Sequence, residues 1–101
     1  MRLTLFAVTL TAMTAPAAVL AGPIESACLQ TGRQAATRQM CRCIDRVADR
    51  TLTRSEQRRA ARFFSDPDMA QQVRMSRSPA DNEFWRRYRE FGDAAERTCA
   101  G

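Results

Sequence analysis

The chain has 101 residues, with 16 basic side chains against 11 acidic ones, a formal net charge of +5 and no histidine. Every basic residue is arginine, because lysine is absent as well. That inventory excludes a histidine general base, a Ser-His or Cys-His pair and a mixed Cys/His zinc site, so no enzymatic activity and no cofactor are expected.

The chain opens on Arg2, an apolar run from Leu3 to about Met13, and a small-residue end at Val19-Leu20-Ala21. This is the three-part pattern of a secretory signal peptide, with cleavage expected after Ala21. The apolar run is shorter than the roughly 20 residues that a bilayer span requires, and no later run could span one. The expected domains are therefore a signal peptide, 1–21, and one periplasmic or secreted domain, 22–101, that does not span a membrane. A domain of that size is marginal on its apolar core alone and calls for covalent support.

A short helix is expected from Ile24 to about Gln30, ending near Thr31-Gly32. A long one follows from Gln34 or Thr37 to Leu52, on which Ala36, Met40, Cys43, Ile44, Val47 and Thr51 recur at steps of three and four. With Met40 at the centre of that stripe, Cys41 and Cys43 fall on its two margins, while Arg38, Arg42, Asp45 and Asp49 face water. Thr53-Arg54-Ser55-Glu56 is a capping box that starts a third helix, with Ala60, Phe63 and Phe64 inward. Asp66-Pro67 and Ser78-Pro79 each pair an N-cap with a proline at the first helical position. The first of these opens a short helix with Met69, Val73 and Met75 buried. The second opens a long helix running to about Cys99. On it Phe84, Trp85, Tyr88, Phe91, Ala95 and Cys99 share one side, and Arg86, Arg87, Arg89, Glu90, Asp93 and Arg97 lie mostly on the other. No segment alternates as a strand does. The expected class is all-α: a small disulfide-stapled bundle of about five helices, two of them long.

Four cysteines, Cys28, Cys41, Cys43 and Cys99, follow the cleavage site, and an even count in a small exported chain reads as a disulfide framework. Cys41 and Cys43 are about 200 degrees apart around a helix, so they do not bond each other. Two pairings remain: Cys28 with Cys41 and Cys43 with Cys99, or the exchange of the middle partners. The first is preferred, because Cys43 borders the stripe on which the last helix should dock. A thiol redox or metal-handling protein built on Cys41 and Cys43 is the competing chemical reading. It lacks both the C-x-x-C of a redox helix and the repeated knuckle spacing of a zinc site.

Arg58, Arg59 and Arg62 cluster on the third helix, and Arg86, Arg87 and Arg89 on the last. Together they could form a face that binds carboxylates, phosphates or an anionic polymer. The aromatics interleaved with arginine in EFWRRYREF, residues 83–91, have core periodicity rather than the pattern of a nucleic-acid platform. The expected role is an interaction domain for an acidic protein or envelope polymer, with no nucleic-acid partner.

The C-x12-C-x-C spacing, CRCIDRVAD, RRAARFFSDPDMAQQVRMS and the FWxRY of FWRRYREFG cover nearly the whole mature chain. They resemble a family of small exported bacterial proteins often labelled "arginine transporter". The resemblance implies an accessory or binding component of arginine transport, with arginine or a transport system as partner, because a mature chain without a spanning segment cannot itself move arginine across a bilayer.

Overall fold

The computed structural model describes residues 21–100 together with Thr4, Ala7 and residues 9–12. Most of the expected signal peptide lies outside the described residues. Among the described residues five helices follow in order: α1 (Pro23–Gln30), α2 (Arg38–Thr51), α3 (Arg54–Ser65), α4 (Pro67–Met75) and α5 (Pro79–Cys99). The described residues contain no strand, and no helix among them is long and apolar enough to cross a membrane.

Local chemistry sets the helix starts. The Thr37 hydroxyl accepts from Met40 N to open α2. At α3 both arms of the capping box form: Thr53 N donates to Glu56 Oε1 at 2.8 Å and Glu56 N donates to Thr53 Oγ1 at 3.2 Å. Asp66 and Ser78 accept from Met69 N and Asp81 N to start α4 and α5, each with proline at the first position. Such caps contribute about 1 kcal/mol apiece. Helix α1 ends at Thr31, and Gly32 reverses the chain at a φ of +68°, a conformation that glycine adopts without a Cβ penalty.

Helix α2 is the hub. Helix α1 packs on it and on α3, α5 lies along it, and α4 bridges α3 and α5. The shared core holds Ile24, Val47, Ala48, Leu52, Ala60, Phe63, Val73, Phe84 and Phe91. Phe63 meets Phe84 and Tyr88 edge-on, with ring centroids 5.9 and 5.2 Å apart, the arrangement that ring quadrupoles favour. Burial of Tyr88 in this cluster pushes its phenol pKa upward. Trp85 is half-buried at the edge of the cluster, 5.2 Å from the Tyr88 ring.

Two disulfides close the bundle. Cys28–Cys41 ties α1 to α2 and Cys43–Cys99 ties α2 to the end of α5, with Cα separations of 5.6 and 5.8 Å. This is the preferred pairing, and the opposed sulfurs of α2 serve opposite neighbours.

On α2 and α4, three residues differ from expectation. Met75 is 77% exposed rather than buried, because it stands two residues past Val73 and thus on the far side of α4. Cys41 is fully buried rather than marginal, since α1 covers that flank of α2 and widens its inner face toward Cys41 and Ala48. Asp45 is half-buried instead of facing water, and its Oδ1 accepts from Glu25 N at 3.1 Å at the start of α1.

Candidate functional site

Helix α3 reads RSEQRRAARFFS, which sets Arg54, Arg58 and Arg62 at steps of four on one exposed edge. None of the three has a carboxylate within ion-pair distance among the described residues, and the one acid of the helix, Glu56, is engaged elsewhere. Arg58 and Arg62 were legible as candidates. Arg54 was missed, although its spacing from Arg58 was the available signal.

The other four candidate arginines are disposed differently. Arg59 turns inward: its Nη2 donates to Asp81 Oδ1 at 2.6 Å, and its guanidinium lies 4.4 Å over the Phe84 ring. Arg87 reaches back toward α3, donating through Nε to Glu56 Oε2 at 2.7 Å and through Nη2 to the Thr51 carbonyl at 3.4 Å. It is half-buried rather than on the wet side of α5. These two arginines bridge α3 and α5. Arg86 pairs with Glu83 at 2.6 Å and with Glu90 on the outer side of α5. Arg89 has no such partner among the described residues and lines a shallow groove with Asn82, Trp85 and Asp93.

The six arginines therefore do not form one face. Arg58 and Arg62, joined by Arg54, make the outer edge of α3. Arg59 and Arg87 are structural bridges, and Arg86 and Arg89 sit on the side of α5 turned away from its buried Phe84 and Phe91.

The carboxylates answer to these contacts. Burial opposes ionisation of Glu56, but hydrogen bonds from Thr53 and Arg87 outweigh it and hold the carboxyl below its ordinary range. Asp81 is lowered by the hydrogen bond from Arg59 and then by Ser76. Asp45 moves the other way: burial raises it more than the Glu25 backbone hydrogen bond lowers it, the charges of Asp49 and Glu25 add to the rise, and the nearby charge of Arg54 opposes it more weakly.

A second polar feature went unread in the sequence. Gln57 is 2% exposed, and its Nε2 donates to Ala48 O, Asp49 Oδ1 and Leu52 O, closing the turn between α2 and α3. Its Oε1 is buried without a partner among the described residues. A glutamine between two charged residues carries no periodic signal that would have exposed this role.

All four cysteines are consumed by the disulfides, so a thiolate metal set or a redox dithiol requires the reduced chain. The two bridges differ in access: Cys28 and Cys41 are buried, whereas Cys43 and Cys99 are half-buried beside Thr37, Gln39, Met40 and Arg46. The described residues contain no group of three or more His, Cys, Asp or Glu side chains placed to hold a metal ion.

No protein-family model matches the chain, and no curated protein or solved structure matches it at a significant level.

Proposed function

We propose that the chain is an exported, non-enzymatic interaction domain of the periplasm or extracellular space, and that the Arg54–Arg58–Arg62 edge of α3 binds an acidic protein or envelope polymer. The observation that carries this reading is the uncompensated edge itself. Like charges at a spacing of four destabilise a helix by a few tenths of a kcal/mol per pair, and no arginine of this edge has a carboxylate within ion-pair distance among the described residues, whereas the comparable run Arg38, Arg42, Arg46 and Arg50 on α2 is relieved by the Arg42–Glu25 pair. An anionic partner would supply on α3 what the chain itself does not. Arginine suits that role because its planar fork binds carboxylate and phosphate oxygens in pairs.

Support for export comes from the disulfides, which persist in oxidising compartments, and from the cleavage pattern at Ala21. The test uses poly-glutamate and an anionic polysaccharide as probes in titrations at two salt concentrations. Replacing Arg54, Arg58 and Arg62 together by glutamine should weaken binding at least about tenfold and flatten its salt dependence. The double variant Arg86→Gln with Arg89→Gln should leave it within about twofold. Equal loss from both variants would mean that net charge, not this edge, drives binding.

A further inference from the structure

Gly22 is the N-cap residue of α1 and has no side chain with which to cap it. Asp45 of α2 performs that task from twenty residues away, its Oδ1 accepting from Glu25 N at 3.1 Å. The approach is close enough that a larger residue would displace the carboxylate. A Cβ on Gly22 would stand 2.5 Å from Asp45 Oδ1 and 2.8 Å from Oδ2. Covalent geometry then puts the Gly22 nitrogen within about 5 Å of the same carboxylate.

The surrounding hollow receives charged side chains from three helices. Helix α1 contributes Glu25, α2 contributes Arg42, Asp45, Arg46 and Asp49, and α3 contributes Arg54. Arg42 is held by Glu25 at 3.3 Å. Asp45 is half-buried and, among the described residues, has no cation within ion-pair distance, whereas the other carboxylates lacking an ion pair are exposed. The expected signal peptide ends one residue before Gly22. Cleavage there turns an uncharged amide into an ammonium group at the edge of this hollow.

We propose that processing after Ala21 completes the site, with the newly formed Gly22 α-ammonium pairing with the Asp45 carboxylate and fastening the start of the mature chain to α2. A positive charge at a helix N-terminus ordinarily opposes the helix dipole, and Asp45 is the group placed to offset it. The inference rests on the export reading above. The pair needs the ammonium and the carboxylate together, so its contribution is present below the amine's unfolded pKa while Asp45, itself raised by burial, stays ionised, and it is lost as pH rises through the amine's folded pKa.

The absence of lysine makes this testable, because the α-amine is the only primary amine in the chain. Intact mass of the exported protein first fixes its start: a start other than Gly22 overturns the export reading and this inference together. For a chain starting at Gly22, the pH dependence of acetylation by acetic anhydride, followed by mass, gives the pKa of the amine. It should lie about one unit above the usual 7.7–8.0 of a chain start, and Asp45→Asn should return it to that range. Acetylation of the wild type should lower its Tm at pH 6 while leaving the unprocessed precursor unchanged. An amine of ordinary pKa in the folded wild type, or one indifferent to Asp45→Asn in a variant that keeps its helical circular dichroism, overturns the ion pair and leaves the export reading standing.

Discussion

The two flanks of α2 are held by different physics. On one side α1 is eight residues long and offers Ile24 and Cys28 as its buried residues, with the Cys28–Cys41 bond itself inside the core. On the other, α5 runs for 21 residues and brings Phe84 and Phe91 into the core, while the Cys43–Cys99 bond lies half-exposed at its very end. A disulfide thus replaces apolar area where the helix is too short to supply it, and clamps a helix already docked where area is plentiful. Burial of side chains the size of Phe stabilises by about 1.5–3 kcal/mol each, so α5 should depend on its disulfide less than α1 does.

The comparison can be broken most forcefully from the α5 side. Phe91→Ala should lower stability by about 3 to 5 kcal/mol, and Trp85→Ala by clearly less, since Trp85 is only half-buried. Urea unfolding followed by circular dichroism measures both, and a larger loss at Trp85 would mean that the edge of the aromatic cluster, not its centre, holds α5.

The disulfides sharpen the contrast. The bonds close sequential loops, with sequence separations of 13 and 56, for which chain entropy gives contributions of about 3 and about 4 kcal/mol. Replacing Cys43 and Cys99 by alanine should therefore cost slightly more globally than replacing Cys28 and Cys41. Local effects should run the other way. Hydrogen exchange should show α1 losing protection when Cys28 and Cys41 are removed, and α5 keeping most of its own when Cys43 and Cys99 are removed. A mild thiol reductant should open the half-exposed bond first.

The smallest effects concern the arginine bridges between α3 and α5. Arg87→Ala should cost about 1 kcal/mol, because a half-buried charge-assisted hydrogen bond to Glu56 is lost, whereas Arg86→Ala should stay under about 0.5 kcal/mol, as solvated helix pairs do. Glu56 has a lowered folded-state pKa. Its contribution is fully present above its unfolded pKa of about 4.3 and disappears as pH falls through the folded value. Arg87→Ala should flatten the acid limb of the stability profile, and a wild-type limb in that variant would rule out the bridge as its source.

The helix starts were open to reading because each cap and the donor it serves lie within three residues: Thr53 with Glu56, Asp66 with Met69, Ser78 with Asp81. The stripe of α5 was equally plain in its aromatics. Asp45 and Arg87 were not legible, since their partners Glu25 and Glu56 lie 20 and 31 positions away and nothing in local spacing links them. Cys41 was underestimated because a small, weakly apolar residue does not advertise which flank a neighbouring helix will cover. The arginine edge was half-read for a related reason: Arg58 and Arg59 look alike in sequence, and only the position of α5 decides that one pairs inward with Asp81 while the other stays in water.

The single residue between Cys41 and Cys43 governs how the chain can oxidise. Exchanging the two middle partners lengthens each loop by only two residues, so in an unstructured chain the native and crossed pairings form with nearly equal ease. What separates them is rotation. Once α2 is wound, one sulfur faces α1 and the other faces α5, and the crossed bonds would have to reach around the helix. The secondary structure of α2 thus acts as a proofreader for its own covalent chemistry. Oxidation that outruns helix formation yields scrambled product in almost even proportion, while oxidation that waits for the helix yields a single isomer without a shuffling step.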